Sequence, residues 1–174
     1  MTSPTQTETC VAAPLALGIE WRGGEIIKMR LMWSEDREPS LATPAGEALQ
    51  AALTRYVAGE APDWPELPLS WQGVSDFSRQ VLTALARVPL GQKVSYGWLA
   101  ARMGRPKAAR AVGRVMAANP FPLLIPCHRV VGSSGALIGF GPGLEMKHYL
   151  LEREGTQADA NADADASGGQ GETF

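Results

Sequence analysis

Residues 94–135 read VSYGWLAARMGRPKAARAVGRVMAANPFPLLIPCHRVVGSSG, and this stretch decides how the chain is understood. Its first half carries two short helical patterns. Ser95 sits where an N-cap belongs, ahead of YGWLAARM, and Gly104 supplies a stop. Pro106 falls at a first helical position and opens KAARAVGRVMAA, which Asn119-Pro120 ends. Two short helices joined by a Gly-containing turn make a helix-turn-helix. The second half runs from LLI into Pro126-Cys127-His128-Arg129-Val130, which sets a thiol beside an imidazole, the elements of a nucleophile and its base. A nucleophile placed directly after a DNA-clamping motif points to a cysteine whose target is a base in DNA.

Charge supports that reading. Residues 1–76 carry five basic and eleven acidic side chains, a net of −6. Residues 77–144 carry nine basic side chains and no Asp or Glu, a net of +9, and residues 145–174 return to −5. Ordinary protein surfaces intersperse both signs. A block without a carboxylate attracts phosphates with nothing to repel them, which favours nucleic acid as the partner. No apolar run approaches the ~20 residues that cross a bilayer, and MTSPTQTETCVAAP lacks the layout of a signal peptide. Two cysteines, Cys10 and Cys127, fit a reducing compartment better than a disulfide scaffold. The expectation is a cytoplasmic protein with no membrane contact.

Working outward, the remaining pattern is α+β. Residues 1–12 read as disordered, and residues 13–70 as a small α/β domain with a short antiparallel sheet. In it LALGIEW and IIKMRLMW flank Arg22-Gly23-Gly24-Glu25 as a hairpin. Residues 45–58 form a helix with Leu49, Ala52, Leu53 and Tyr56 on one face, and Pro62, Pro65 and Pro68 mark a linker. Residues 71–155 form a mostly helical, winged-helix-like helix-turn-helix domain. It begins with a helix capped by Ser75 or Asp76, carrying Phe77, Val81, Ala84, Leu85 and Val88 and stopped by Pro89. A Gly/Ser-rich loop spans 132–143, and the helix LEMKHYLLERE ends at Gly155. Residues 156–174 read as a disordered acidic tail.

A free cysteine is most often a small buried hydrophobe, but the neighbours of Cys127 change its reading. Displacement needs thiolate, which an ordinary thiol supplies only to a few per cent at neutral pH. A nearby imidazole takes the proton, and the basic block favours the anion. Adjacent residues of an extended segment point to opposite sides, so His128 needs a bend or a bridging water to reach the sulfur. Glu152 and Glu154 fall in the last helical turn, where a carboxylate opposes the helix dipole. One of them orients His128, or both are plain exposed glutamates. Two cysteines and two histidines, His128 and His148, do not give zinc spacing. A cysteine protease would leave the basic block unexplained.

The second helix of the motif is small: Ala108, Ala109, Ala111 and Gly113 permit close approach to a groove, and Arg110 and Arg114 share one face. A sequence-reading regulator would carry Asn, Gln or Ser there. This helix fits binding with little sequence preference.

From Trp71 to Gly155 the chain closely resembles the O6-alkylguanine-DNA alkyltransferases, the methylated-DNA–protein-cysteine methyltransferases, through the stretch quoted above and GLEMKHYLLEREG. The first 70 residues match only in layout. The resemblance implies an α+β fold and irreversible transfer of an alkyl group from O6-alkylguanine in double-stranded DNA to Cys127, with O4-alkylthymine left open as a further substrate. It implies no cofactor, no metal, and a monomer that clusters on DNA or acts alone. His128, a water and Glu154 would hold the Cys127 proton. Tyr96 would rotate the nucleotide and protonate the departing guanine, and Asn119 would brace the active-site loop. Arg110 would replace the extruded nucleotide, with Ala108, Ala109, Arg114, Lys107 and Arg129 completing the DNA-facing set. Carbonyls of Cys127 and Val130 would read the base, with Phe140, Gly141 and Pro142 as a pocket wall. There the chain departs from the family, which usually has a tyrosine, a small residue and two glycines. Two alternatives stay open at this point: a non-catalytic sensor that flips alkylated bases, and a helix-turn-helix regulator.

Overall fold

The computed structural model describes residues 3–155, and the acidic stretch 156–174 lies outside them. Contacts divide the chain into two compact units, one of residues up to Ser75 together with Pro120–Leu124, the other of Asp76–Asn119 and the residues from Ile125 onward. The fold is α+β, as the patterning implied. The division falls at 75/76 and not at 70/71, and the chain re-enters the first unit for five residues just before the PCHRV segment.

In the first unit, strands β1 (Thr5–Ala12), β2 (Leu15–Arg22) and β3 (Glu25–Trp33) form an antiparallel meander in the order β1-β2-β3. Gly23 and Gly24 make the tight β2–β3 turn with φ of 59° and 84°, angles that a two-residue hairpin requires and glycine adopts without strain. A bulge beside Glu20 and Trp21 shifts the register. It explains why Ile26, Met29 and Leu31 all reach the core although the first two are three residues apart.

The reading of residues 1–12 as disordered is corrected, because Thr5–Ala12 is β1. An edge strand needs only one covered face, and here the inward positions are Cys10 and a carboxylate, Glu8, so the hydrophobic signal was weak. Its outer edge is not left open: Thr9 exchanges two backbone hydrogen bonds with Ser40, at 2.8 and 2.9 Å. The linker likewise returns to the sheet, where Ile26 N donates to Pro68 O and Ser70 N to Ile26 O. Pro120 O accepts from Met29 N at 2.7 Å, and Phe121 meets Trp71 edge-on.

Helix α1 (Pro44–Val57) buries Leu49, Ala52, Leu53 and Tyr56 as expected. What joins it to β1 is polar. Glu8, 1% exposed, accepts from Trp21 Nε1 at 2.7 Å, from the backbone N–H of Ala42 and Thr43 at 2.5 and 2.6 Å, and from Thr43 Oγ1 at 3.0 Å. Thr43 is the N-cap of α1 and accepts from Gly46 N. Glu8 thus places a negative charge at the positive end of the helix. Gly46 admits it, since a Cβ there would stand 2.7 Å from both carboxylate oxygens.

The second unit begins with α2 (Asp76–Leu85), which buries Val81, Leu82 and Leu85. Strand β4 (Val94–Ser95) leads straight into α3 (Tyr96–Arg102), where Ser95 Oγ accepts from Trp98 N at 3.0 Å as an N-cap. Gly104, at φ 67°, ends that segment. Helix α4 (Ala109–Ala117) starts later than the position of Pro106 suggested. Ala108 N donates to Arg105 O at 2.8 Å, so Pro106 occupies the second position of a β-turn, where its fixed φ serves equally well. The three helices pack on one another. After one 3₁₀ turn at Cys127–Arg129, strand β5 (Val130–Val131) pairs in parallel with β4, Val94 opposite Val130 and Ser95 opposite Val131. Helix α5 (Leu144–Arg153) closes the unit and packs against the 3₁₀ turn.

Replacing Glu8 by Ala leaves four donors without their acceptor. The expected cost is about 3 kcal/mol in urea unfolding, against less than about 0.5 kcal/mol for exposed Thr7→Ala.

Candidate active site

The chemistry gathers where β4 and β5 pair. That two-residue ladder sets Ser95 against Val131, so the start of α3, with Tyr96, comes beside the turn that carries Cys127. The turn is tight: Cys127 N donates to Ile125 O at 2.8 Å, and Arg129 N to Pro126 O at 2.9 Å. This curled backbone is the bend that an extended PCHRV segment lacked. Cys127, His128 and Arg129 are all buried, at 7, 0 and 7% exposure.

Glu154, the residue that closes α5, organises the turn. His128 Nε2 lies 2.7 Å from Glu154 Oε1. Arg129 Nε donates to Oε2 at 2.8 Å and its Nη2 to Oε1 at 3.0 Å, a bidentate pair, while Nη1 donates to Val88 O at 2.6 Å. Burial works to raise the Glu154 carboxyl, but the hydrogen bonds from His128 and Arg129 and the charge of Arg129 outweigh it and hold it at about 2. For His128, burial dominates and lowers its pKa, against the raising pull of Glu154. The imidazole is therefore neutral at neutral pH, and Arg129 supplies the positive charge that keeps Glu154 ionised. An ionised carboxylate only accepts, so Nε2 carries the proton and Nδ1 holds a bare lone pair. Nδ1 is buried and has no hydrogen-bond partner among the described residues.

Of the two glutamates weighed from the sequence, only Glu154 reaches the imidazole. Glu152 is exposed and meets His148, four residues earlier, at 3.3 Å. Arg129 is likewise not a DNA-facing residue. It is buried and spent on Glu154 and Val88, because the 3₁₀ turn directs it into the unit.

The Cys127 thiol is raised by burial. The Asn119 side chain, the charge of Lys147 and the backbone N–H groups of Cys127 and His128 work the other way. The resting group is a thiol surrounded by donors that would stabilise its anion. Asn119 Nδ2 also donates to Ile125 O at 2.9 Å, bracing the residue that accepts from the Cys127 amide. Tyr96 is raised by burial and then by the proximity of Cys127, and its hydroxyl donates to Ile138 O at 3.0 Å. Gly113 of α4 faces the Tyr96 ring.

Lys147 was missed by sequence reasoning. It is fully buried, and its Nζ donates to Val130 O at 2.6 Å, Ile138 O at 3.0 Å and Gly139 O at 3.3 Å. Burial lowers it to about 8, against the raising influence of Cys127. The available signal was its position two turns before Glu154 on the same face of α5. Val130 O already serves Lys147, which leaves one lone pair for other donors. Phe140, Gly141 and Pro142 lie in the loop that Lys147 and Tyr96 anchor at Ile138. Arg110, Arg114 and Lys107 are exposed, and Ala108 and Ala109 half-buried, on α4 and the turn before it. Among the described residues no cluster of three or more His, Cys, Asp or Glu is placed to hold a metal ion, and no helix is long and apolar enough to cross a membrane.

Residues 76–156 match the family described as 6-O-methylguanine DNA methyltransferase, DNA binding domain. A Mycobacterium tuberculosis methylated-DNA–protein-cysteine methyltransferase is 39% identical over 143 residues, 79% of this chain and 86% of the relative. The chain belongs to the methylated-DNA–protein-cysteine methyltransferases. The Salmonella typhimurium methylated-DNA–protein-cysteine methyltransferase is 43% identical over 116 residues, 67% of this chain and 66% of that protein. Among solved structures, Mycobacterium tuberculosis O6-methylguanine methyltransferase superposes with a TM-score of 0.71 at 32% identity, covering 87% of this chain and 93% of that one. The Mycobacterium tuberculosis OGT in complex with DNA superposes with a TM-score of 0.70 at 34% identity, covering 94% and 98%. As a family member the chain is a DNA-binding DNA-repair methyltransferase with a cysteine acceptor.

The Glu154 clamp has a pH signature. Its carboxyl is depressed from 4.5 to about 2, so its contribution is complete above the unfolded-state pKa and is lost as pH falls through the folded one. Unfolding free energy should drop by about 3 kcal/mol between roughly pH 4.5 and 2. Urea titrations across that window should show the drop in the wild type and a flatter profile in Glu154→Gln.

Proposed function

We propose that the protein reverses O6-alkylation of guanine in double-stranded DNA by moving the alkyl group to Cys127, once per molecule. The buried Nδ1 of His128, the residue next to Cys127 in the chain and without a hydrogen-bond partner among the described residues, carries this reading. A neutral imidazole whose far nitrogen is committed to Glu154 offers its near lone pair as a base, through a bridging water. The thiol proton leaves by that route. The sulfur attacks the alkyl carbon, the S–C bond forms as the C–O6 bond breaks, and the departing guanine takes a proton from the Tyr96 hydroxyl. Lys147 and Asn119 stabilise the thiolate while it exists. A thioether is a poor leaving group, so the acceptor is consumed. The site asks for no cofactor.

An O6-alkyl group is out of reach within the stack, so the nucleotide must be extruded at a cost of a few kcal/mol. Exposed Arg110, on a helix of small residues, fits the wedge that offsets this cost from the minor groove. Arg114, Lys107 and the backbone at Ala108 and Ala109 would meet phosphates, which position the protein without reading sequence. The pocket wall is assigned to Val130, Phe140, Gly141 and Pro142. Pro142 removes a backbone donor and stiffens the loop, and Phe140 lacks a hydroxyl. Both bear on which alkyl groups enter. One protein molecule suffices for the chemistry, because every group named comes from this chain.

Intact-protein mass after incubation with duplex DNA containing O6-methylguanine should rise by about 14 Da, at the peptide carrying Cys127, and stop at one addition. Cys127→Ala should bind DNA and gain nothing. Lesion-selective binding without a mass gain would replace this reading by a non-catalytic sensor. Arg110→Ala should slow transfer from duplex about tenfold or more while sparing transfer from the free base.

A further inference from the structure

A groove of about 820 Å³ runs between α2 and α3, and its lining includes none of the residues assigned above to the transfer chemistry or to the face of α4. One wall carries Arg79, Thr83 and Arg87, spaced by four residues and so on one face of α2 and its closing turn. The other carries Trp98 and Arg102 of α3, with the Arg102 guanidinium 4.2 Å over the Trp98 ring. The floor is apolar, with Val88 and Val94. Asp76 is the single carboxylate in the lining.

Three guanidiniums with an indole between helical walls combine the two features that hold an unpaired strand, a positive track for phosphates and an aromatic face for bases. We infer that this groove is a second nucleic-acid site, taking a single-stranded DNA segment with its phosphates toward Arg79, Arg87 and Arg102 and a base against Trp98. The indole selects the strand state: a base stacks on the Trp98 ring only when it is unpaired, as in a single strand. The charge selects the polymer, because three arginines and a single carboxylate, Asp76, line the groove. Continuity points the same way, since α3 is the first helix of the helix-turn-helix in the matched DNA-binding domain. Arg102 is an exposed residue at the end of α3, where the α3–α4 turn begins.

The test is fluorescence anisotropy of an unmodified, labelled 12-nucleotide oligothymidylate with the full chain. Arg79→Ala/Arg87→Ala should weaken single-strand binding about tenfold and flatten the log–log salt dependence by about 1.4, the equivalent of two phosphate contacts at 0.7 each. Binding of an unmodified duplex should stay within twofold. Conversely, Arg110→Ala/Arg114→Ala should weaken duplex binding and leave most of the single-strand affinity. Oligothymidylate should quench intrinsic fluorescence in the wild type and much less in Trp98→Phe. The inference is overturned if the Arg79/Arg87 double variant binds the oligonucleotide as the wild type does, or if Arg110→Ala/Arg114→Ala alone abolishes binding. Equally tight binding of polyglutamate of matched charge would also overturn it, in favour of a general anion surface. Because binding is read without alkyl transfer, the result does not depend on the chemistry proposed for Cys127.

Discussion

The second unit depends on a carboxylate placed where a helix disfavours it. Glu154 closes α5, and its negative charge lies at the negative end of the helix dipole. It is also withdrawn from water, its side chain 0% exposed. Arg129 offsets both costs with a bidentate pair, and His128 adds a third hydrogen bond. A buried pair of this kind is weak evidence of net stability, but removing one partner strands the other. The consequence is specificity: α5, the Cys127–Arg129 turn and, through Val88 O, the end of the α2 segment are held in one arrangement.

That arrangement sets the electrostatics of the sulfur. Two turns earlier on α5, Lys147 ties the carbonyls of Val130, Ile138 and Gly139 together. Ile138 O also takes the Tyr96 hydroxyl, so one carbonyl joins the β5–α5 loop to both α3 and α5. Helix α5 therefore offers a cation to the Cys127 environment and an anion to the imidazole. Burial keeps the thiol protonated at rest, while Asn119, Lys147 and two backbone N–H groups stand ready for the anion. A reactive thiolate is formed only when a proton acceptor takes part, so the resting sulfur is a weak nucleophile and slow to oxidise.

Helix-turn-helix signals were legible because capping and stop residues act locally: Ser95 and Gly104 do in the structure what their chemistry requires anywhere. Pro106 was misplaced because a fixed φ suits a turn as well as a helix start. Thr5–Ala12 was missed because its partners, Leu15–Arg22, Ser40 and α1, all lie outside the strand, and because its key inward residue is a glutamate. Arg129 was read as part of the DNA surface because charge alone carries no sign of burial. Its partner is 25 residues away.

The sequence by itself determined the α+β class, the charge segregation, the helix-turn-helix with small residues and two arginines on its second helix, and the pairing of a thiol with an imidazole. All of these rest on neighbours within a few residues, where propensity and periodicity apply. Tertiary structure decided which glutamate orients His128, which tautomer the imidazole takes, that Lys147 is buried beside the site, and that Arg129 faces inward. Those outcomes depend on desolvation and on charges brought together across long stretches of chain. No local pattern encodes either, because the cost of burying an ion is set by whatever the fold packs against it.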